Sequence, residues 1–149
     1  MPSDLYNRDI LRLAASIPHS GPLADAQGVA EKRSAVCGSR VRVTVRVDGE
    51  GRIAALGQEV KACALGQASA ALMGGHALGC TSEELARTQS ALADWLAGRR
   101  GDPGDWPGLS VFEHARAHTA RHGSILLAFE AAAEAAQRAA ASAAAAGGR

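Results

Sequence analysis

The sequence has few aromatic residues and lacks any long apolar run. Aromatic residues make up 3% of the 149 positions although hydrophobic residues make up 47%, so the core must consist largely of Ala, Val and Leu. This length predicts one domain. We place that domain at residues 1–138 and interpret residues 139–149, which are rich in alanine, as a frayed tail.

The sequence also lacks an excess of positive or negative side chains. The chain has 16 Lys plus Arg against 15 Asp plus Glu, and a net charge of +1 gives no field for gathering nucleic acid or an anionic membrane. We therefore interpret Arg40, Arg42 and Arg46, and the pair Arg99 and Arg100, as solvated faces. The N-terminal segment has no apolar stretch long enough for a secretory signal or a membrane span, so we expect a cytoplasmic protein.

Cysteine is scarce, and the sequence lacks the familiar catalytic motifs. Three cysteines at irregular spacing, without an export signal, favour thiol or metal chemistry over structural disulfides. No GxSxG, HExxH, P-loop or GxGxxG motif occurs, so hydrolase and nucleotide-binding functions have no support.

The patterns that are present predict strands first and helices afterwards. Val41, Val43, Val45 and Val47 alternate with polar residues and predict a strand, which Asp48 and Gly49 end with a hairpin turn. Residues 52–56 and 58–62 complete a predicted three-stranded antiparallel meander. Predicted helices run from Asp4 to Ser16, from Ala64 to Met73 before Gly74 and Gly75, after Thr81, from Ser110, and after Gly123. This order predicts an α+β fold with helices on one face of the sheet.

Two cysteines lie at predicted element ends. Cys37 precedes Gly38 and the first strand, while Cys63 ends the third strand and opens a helix whose free N–H groups should stabilise its thiolate. In a three-stranded meander, the start of the first strand and the end of the third strand can lie at the same edge of the sheet. The two thiols could therefore form one site. The local pattern equally supports two small buried hydrophobic residues.

Three histidines recur at intervals of four. His114, His118 and His122 would stack along one helix face and could chelate a metal. A solvated helix face is the alternative that the pattern favours, because no carboxylate is placed to orient the rings. His122, beside Gly123, is the best placed. We interpret Cys80 as a loop thiol outside the site and His76 as a surface residue.

The segments AVCGSRVRVTVRVDGEGRI and KACALGQASAALM closely resemble the IscU/NifU-type iron-sulfur cluster assembly scaffolds, including their SufU-like branch. The resemblance extends from LYNRDILRLAASIPHSGPL to RHGSILLAFEA and implies an IscU/NifU N-terminal-domain-like fold. It implies Cys37, Cys63 and His122 as ligands. The sequence departs from the family at Ser39, where an aspartate is usual, and at Gly123, where the family has its third cysteine.

The resemblance implies a scaffold that binds iron and persulfide-derived sulfur and transfers a transient 2Fe-2S cluster to acceptor apo-proteins. A cysteine desulfurase is the partner it implies, and a non-enzymatic role is favoured over an enzymatic one. Two alternatives remain open. One is a zinc-dependent sulfur acceptor or sulfurtransferase, and the other is a divergent binding module without a competent metal site.

Overall fold

A computed structural model describes residues 7–35 and 38–147 of the chain. The sheet of three antiparallel strands and the surrounding helices give an α+β fold, as the sequence predicts. The elements, in chain order, are α1 (Arg8–Ala14), β1 (Gly28–Arg33), β2 (Arg40–Val47), β3 (Ile53–Lys61), α2 (Ala64–His76), α3 (Ser82–Leu96), 3-10 segments at Leu109–Ala117 and Thr119–Arg121, and α4 (His122–Gly147).

The core lies between one face of the sheet and the helices. The strand order is β1-β2-β3, and Val41, Val43 and Val45 of β2 point inward and are fully buried. Helix α4 packs across β1 and β2, and α2 and α3 pack against α4. The alternation of valines along β2 therefore orients the sheet, because burying this face removes its apolar surface from water.

The predicted meander has the right number of strands and includes β2 correctly, but the other two strands differ from the prediction. β1 was not predicted, since GVAEKR lacks a clear alternation, and its pairing with β2 and its packing under α4 make it a strand. The two predicted strands at 52–56 and 58–62 are the single strand β3. Gly57 does not turn the chain. A Cβ atom there would lie 2.3 Å from the carbonyl oxygen of Gly21, so glycine allows a loop to cross the strand closely.

Two predicted helix boundaries are also wrong. Gly74 and Gly75 do not end α2, which continues to His76. A Cβ atom at Gly74 would lie 2.6 Å from Nε2 of Gln58, so this glycine permits close packing inside the helix. Ser110 does not cap a helix, because the 3-10 segment begins directly after Gly108, whose φ is 86°.

The predicted cap of α3 is confirmed. The Thr81 hydroxyl accepts a hydrogen bond from the backbone N–H of Glu84, and the helix ends at Leu96, near the expected Gly98. The hairpin turn at Asp48 is also confirmed, since the carboxylate of Asp48 accepts from the N–H groups of Glu50 and Arg52.

Helices lie near both ends of the chain, α1 from Arg8 and α4 to Gly147. The predicted start of the first helix at Asp4 lies outside the described residues. Helix α4 continues through the alanine-rich segment to Gly147, with Ala139 buried and the residues after it mostly exposed. The boundary after residue 138 stays a prediction. No helix in residues 7–35 and 38–147 has the length and apolar character needed to cross a membrane.

Candidate functional site

Three chain segments meet at one end of the sheet, which we call the rim. β1 ends, β2 begins and β3 ends there, because Arg33 pairs with Arg40 and Arg40 pairs with Lys61. The rim thus carries the β1–β2 turn, of which residues 34, 35, 38 and 39 are described, and the start of α2, directly after β3. The start of α4 is the third segment.

Cys63 stands at the junction between β3 and α2. It is the N-cap residue of α2, with an extended backbone, and among the described residues its side chain makes no capping hydrogen bond. The residue is half-buried and its side chain contacts the edge of the hydrophobic core. The predicted position at a helix N-terminus is therefore confirmed, and the thiol is partly accessible from outside.

The β1–β2 turn is closed by two backbone hydrogen bonds. The N–H of Ser34 donates to the carbonyl of Ser39 at 2.8 Å, and the N–H of Gly38 donates to the carbonyl of Ser34 at 3.0 Å. Cys37 belongs to this segment but lies outside the described residues, so its predicted role as a ligand stays a prediction.

Buried serines join the turn to the helices. The hydroxyls of Ser39 and Ser124 lie 3.2 Å apart, and both residues are buried, with exposures of 3% and 0%. A Cβ atom at Gly66, in the first turn of α2, would lie 3.3 Å from the carbonyl oxygen of Ser124. The start of α4 therefore contacts both the residue before β2 and the first turn of α2.

His122 is the first residue of α4 and is half-buried. Its Nε2 atom lies 3.0 Å from the carbonyl oxygen of Ala115 and 3.1 Å from that of Arg116. Carbonyl oxygens only accept, so Nε2 is the donor, and the neutral form of the ring would offer the lone pair of Nδ1 to a metal. Backbone carbonyls thus orient the ring, a role that a carboxylate often has beside a metal-binding histidine.

Gly123 faces the β1–β2 turn. A Cβ atom at this position would lie 3.4 Å from the Ser34 hydroxyl oxygen, an ordinary contact distance, and the residue is exposed. A side chain added here would therefore point toward Ser34, and it would fit without displacing its neighbour.

The fold and this rim can be compared with known proteins. Residues 5–104 match the family described as "NifU-like N terminal domain". The chain belongs to the NifU-like N-terminal domain family. A search of curated proteins finds no match to this NifU-like chain.

Two solved structures resemble this NifU-like domain over nearly its whole length. A nitrogen-fixing NifU-like protein (N-terminal) from Brucella abortus has 35% identity and a TM-score of 0.85, covering 93% of this chain and 96% of its own. A putative iron-sulfur cluster assembly scaffold protein for the SUF system from Fervidobacterium islandicum AW-1 has 21% identity and a TM-score of 0.82. That match covers 91% of this chain and 99% of the other, and it shows the shared fold.

The predicted stack of three histidines does not form in this NifU-like domain. The backbone at His118 has φ −109° and ψ 77°, which interrupts the helical path between the two 3-10 segments. His114 and His118 are exposed, and only His122 begins α4 at the rim. The prediction from the interval of four is therefore wrong, because side chains four residues apart share one face only along a continuous α-helix.

Cys80 lies at the far end of the sheet. Its carbonyl accepts from the N–H of Ile53, where β3 begins, whereas Cys63 follows the end of β3. A strand of this length spans roughly 25 Å, so the two thiols cannot share a metal. The Cys80 thiol donates to the His76 carbonyl at 3.4 Å, and burial, followed by the charge of Glu84, raises its pKa.

Sequence reasoning missed the serines of the rim, Ser34 and Ser124. No local motif marks them, and Ser124 meets Ser39 only through the fold. Within residues 7–35 and 38–147, no cluster of three or more Cys, His, Asp or Glu side chains is suited to a metal ion. Cys63 and His122 are the predicted ligands that the described structure includes.

Proposed function

We propose that this NifU-like domain is a scaffold on which an iron-sulfur cluster is assembled at the rim and then passed to acceptor apo-proteins. The observation that carries the proposal is the convergence of three segments: the start of α2 with Cys63, the residue Ser39 just before β2, and the start of α4 with His122. Family membership adds support, as does the fold shared with a protein described as a putative iron-sulfur cluster assembly scaffold for the SUF system.

The side chains near the rim have suitable chemistry for iron. Thiolate sulfur and imidazole nitrogen are donors that iron and zinc both accept. Cys63 would supply one thiolate and Nδ1 of His122 one nitrogen, and Cys37, the residue before Gly38, would supply the second thiolate. A 2Fe-2S cluster takes four terminal ligands, so three protein ligands would leave one position for an outside ligand such as a partner's thiol.

The surroundings would also favour a negatively charged cluster. Cys63 caps α2, whose unpaired N–H groups carry partial positive charge at this end of the helix. Ser39 places a buried neutral hydroxyl, paired with Ser124, where the resemblance leads one to expect a carboxylate. The cluster would therefore lack a carboxylate ligand from this position, and it would be held by fewer bonds and released more readily.

Sulfur would come from a cysteine desulfurase as a persulfide. Each persulfide sulfur takes up two electrons to become sulfide, so an external thiol or an electron-transfer protein must supply them. The domain itself would hold iron and sulfide without catalysing a chemical step, which is why we assign it as a scaffold rather than an enzyme.

A zinc-dependent sulfur acceptor is the second candidate function. Three protein ligands with one open position is the arrangement that zinc adopts where it activates a bound group. A thiolate bound at that zinc would attack the persulfide and carry its terminal sulfur onward, with the desulfurase cysteine leaving as a thiolate.

Anaerobic reconstitution with iron, sulfide and a cysteine desulfurase tests both functions, read by visible absorption and metal analysis. We expect a labile chromophore that is lost in Cys37→Ser and Cys63→Ser, is weakened in His122→Ala, and persists in the matched controls Cys80→Ser and His114→Ala. Stoichiometric zinc without a chromophore would support sulfur transfer instead. A protein that takes up neither metal would contradict both functions and leave a binding module.

A further inference from the structure

Each strand of the sheet ends at the rim with a cationic side chain. Arg33 of β1 lies directly opposite Arg40 of β2, and Arg40 lies directly opposite Lys61 of β3. Directly paired residues of antiparallel strands share one face, so these three side chains form a row across the sheet, on the face away from the buried valines. We call this set the rim cations.

Placing like charges directly opposite one another destabilises a sheet. Glu31 offsets part of this repulsion, at 3.0 Å from Arg33 and 4.0 Å from Arg40. Lys61 is exposed and forms no ion pair with any residue in the described part of the chain. The row therefore has unmatched positive charge at its β3 end.

The next row of the same face is arranged differently. Arg42 lies between Glu31 and Glu59, and it forms an ion pair with Glu59 at 3.0 Å. Opposite charges alternate in this row, as expected for a sheet face that only has to be soluble and stable. Charge repulsion is thus confined to the row beside the candidate site.

The rim cations border the site along the chain. Arg33 directly precedes Ser34, Arg40 directly follows Ser39, and Lys61 comes two positions before Cys63. The rim cations and Cys63 therefore lie at the same end of the sheet. Two strand spacings separate the outer cations by about 10 Å, a distance that a few carboxylates on a protein surface can match.

We infer that the rim cations are the docking surface for an acidic patch beside the sulfur-carrying cysteine of the donor protein. This inference rests on the proposed function, because it assigns the surface through which that site receives sulfur. Complementary charges at the edge of an interface mainly raise the association rate and set orientation. Nucleic acid is a poorer match, since the net charge of +1 gives no broad basic field.

The variant Lys61→Glu separates docking from folding. It places a carboxylate opposite Arg40, so we expect thermal stability to rise slightly while association with the cysteine desulfurase from the same genome slows about tenfold at low salt. Arg46→Glu is the matched control. It makes the same charge change on the same face of β2, toward the other end of the strand, where Arg46 pairs with Asp25 at 3.6 Å.

The test measures the association rate with the desulfurase by stopped flow at several salt concentrations. The zinc content of each protein is measured alongside. Slower association in Lys61→Glu alone, with a weaker salt dependence and unchanged metal content, would support the inference. Equal rates in the wild type and Lys61→Glu, or equal slowing in Arg46→Glu, would overturn it. So would a wild type that binds a single-stranded RNA 20-mer but not the desulfurase. Metal retained on Cys63 in any of these cases would leave the proposed function standing.

Discussion

At the scale of single residues, two small side chains set the chemistry of the rim. Ser39 is buried against Ser124 and supplies a neutral hydroxyl where a carboxylate would bring charge. Gly123 is exposed, and because it has no side chain, it places no atom in the space between its backbone and Ser34. Both residues lower the number of ionic ligands that this domain can offer to a metal.

Replacing Gly123 with cysteine should add a fourth protein ligand to the proposed site. Its Cβ atom would have an ordinary contact with Ser34, so the thiol can be placed toward the site without strain. We expect zinc affinity to rise at least about tenfold, because a fourth protein ligand closes a tetrahedral site. Competition with a chromophoric chelator measures this change.

Gly75→Cys is the control, since that glycine is exposed on α2 and a Cβ atom there meets no other atom within 4 Å. Unchanged zinc affinity in Gly123→Cys, or an equal gain in Gly75→Cys, would show that residue 123 does not face the metal.

The thiol of Cys80 should react slowly with alkylating reagents at neutral pH. Burial is the largest cause of its raised pKa, and the negative charge of Glu84 is the second. With Cys37 and Cys63 replaced by serine, we expect Glu84→Gln to lower this pKa and to increase iodoacetamide modification at pH 7 by about twofold. Glu83→Gln is the neighbouring control. Equal rates in both variants would contradict the assigned role of Glu84.

At the scale of elements, α4 joins the site to the core. His122 and Ser124 lie in its first turn, at the rim, and its later turns cover β1. Helix and strand approach so closely that a Cβ atom at Gly28 would lie 2.1 Å from the carbonyl oxygen of Ala135 and 2.9 Å from the Cβ of Ala139. The alanine content of α4 is thus a packing requirement, because larger side chains would push β1 away.

Glu130 lies half-buried on α4, where burial raises the pKa of its carboxyl group and Lys32 only partly offsets the shift. The raised pKa means that the folded state favours the protonated form. The contribution of the Glu130 carboxyl to the free energy of unfolding is therefore fully present below about pH 4.3, the pKa of glutamate in the unfolded chain. It is lost as the pH rises through the pKa of Glu130 in the folded state.

We expect Glu130→Gln to increase the free energy of unfolding at pH 7 by up to about 1 kcal/mol and to change it little at pH 4. Urea denaturation at both pH values measures the difference. Glu134→Gln, one turn later, should give no gain at pH 7, since Glu134 pairs with Lys32 and Arg138. A loss of stability at pH 7 in Glu130→Gln would contradict the burial argument.

At the scale of the whole molecule, the C-terminal half of α4 decides how much of the chain belongs to the domain. Ala135, Ala136 and Ala139 are fully buried, and Arg138 donates to the carbonyl of Val29 in β1. Residues 141–146 are mostly exposed. Helical structure therefore extends further along the chain than tertiary packing does.

Two truncations test this boundary. Removing residues 141–149 should change the free energy of unfolding by no more than about 0.5 kcal/mol, because few buried contacts are lost. Removing residues 135–149 should cost about 2 to 4 kcal/mol, since the alanines over β1 are lost together. Urea denaturation compares the two. Equal losses would mean that the predicted frayed tail is part of the core.

The sequence by itself determined the features that depend on neighbours along the chain. The valine alternation of β2, the Thr81 cap of α3 and the position of Cys63 at a helix start follow from local rules, and the structure has them. The family also follows from contiguous segments. His122 and Cys63 as ligands remain predictions, as does Cys37, which lies outside the described residues.

Only the tertiary structure decided the features that depend on contacts between distant segments. β1 is a strand because β2 pairs with it, and Gly57 and Gly74 are glycines because other segments approach them closely. Ser39 and Ser124, 85 positions apart, meet at the rim through folding alone. Such contacts leave no local pattern, because packing selects for the shape of the partner and not for spacing along the chain.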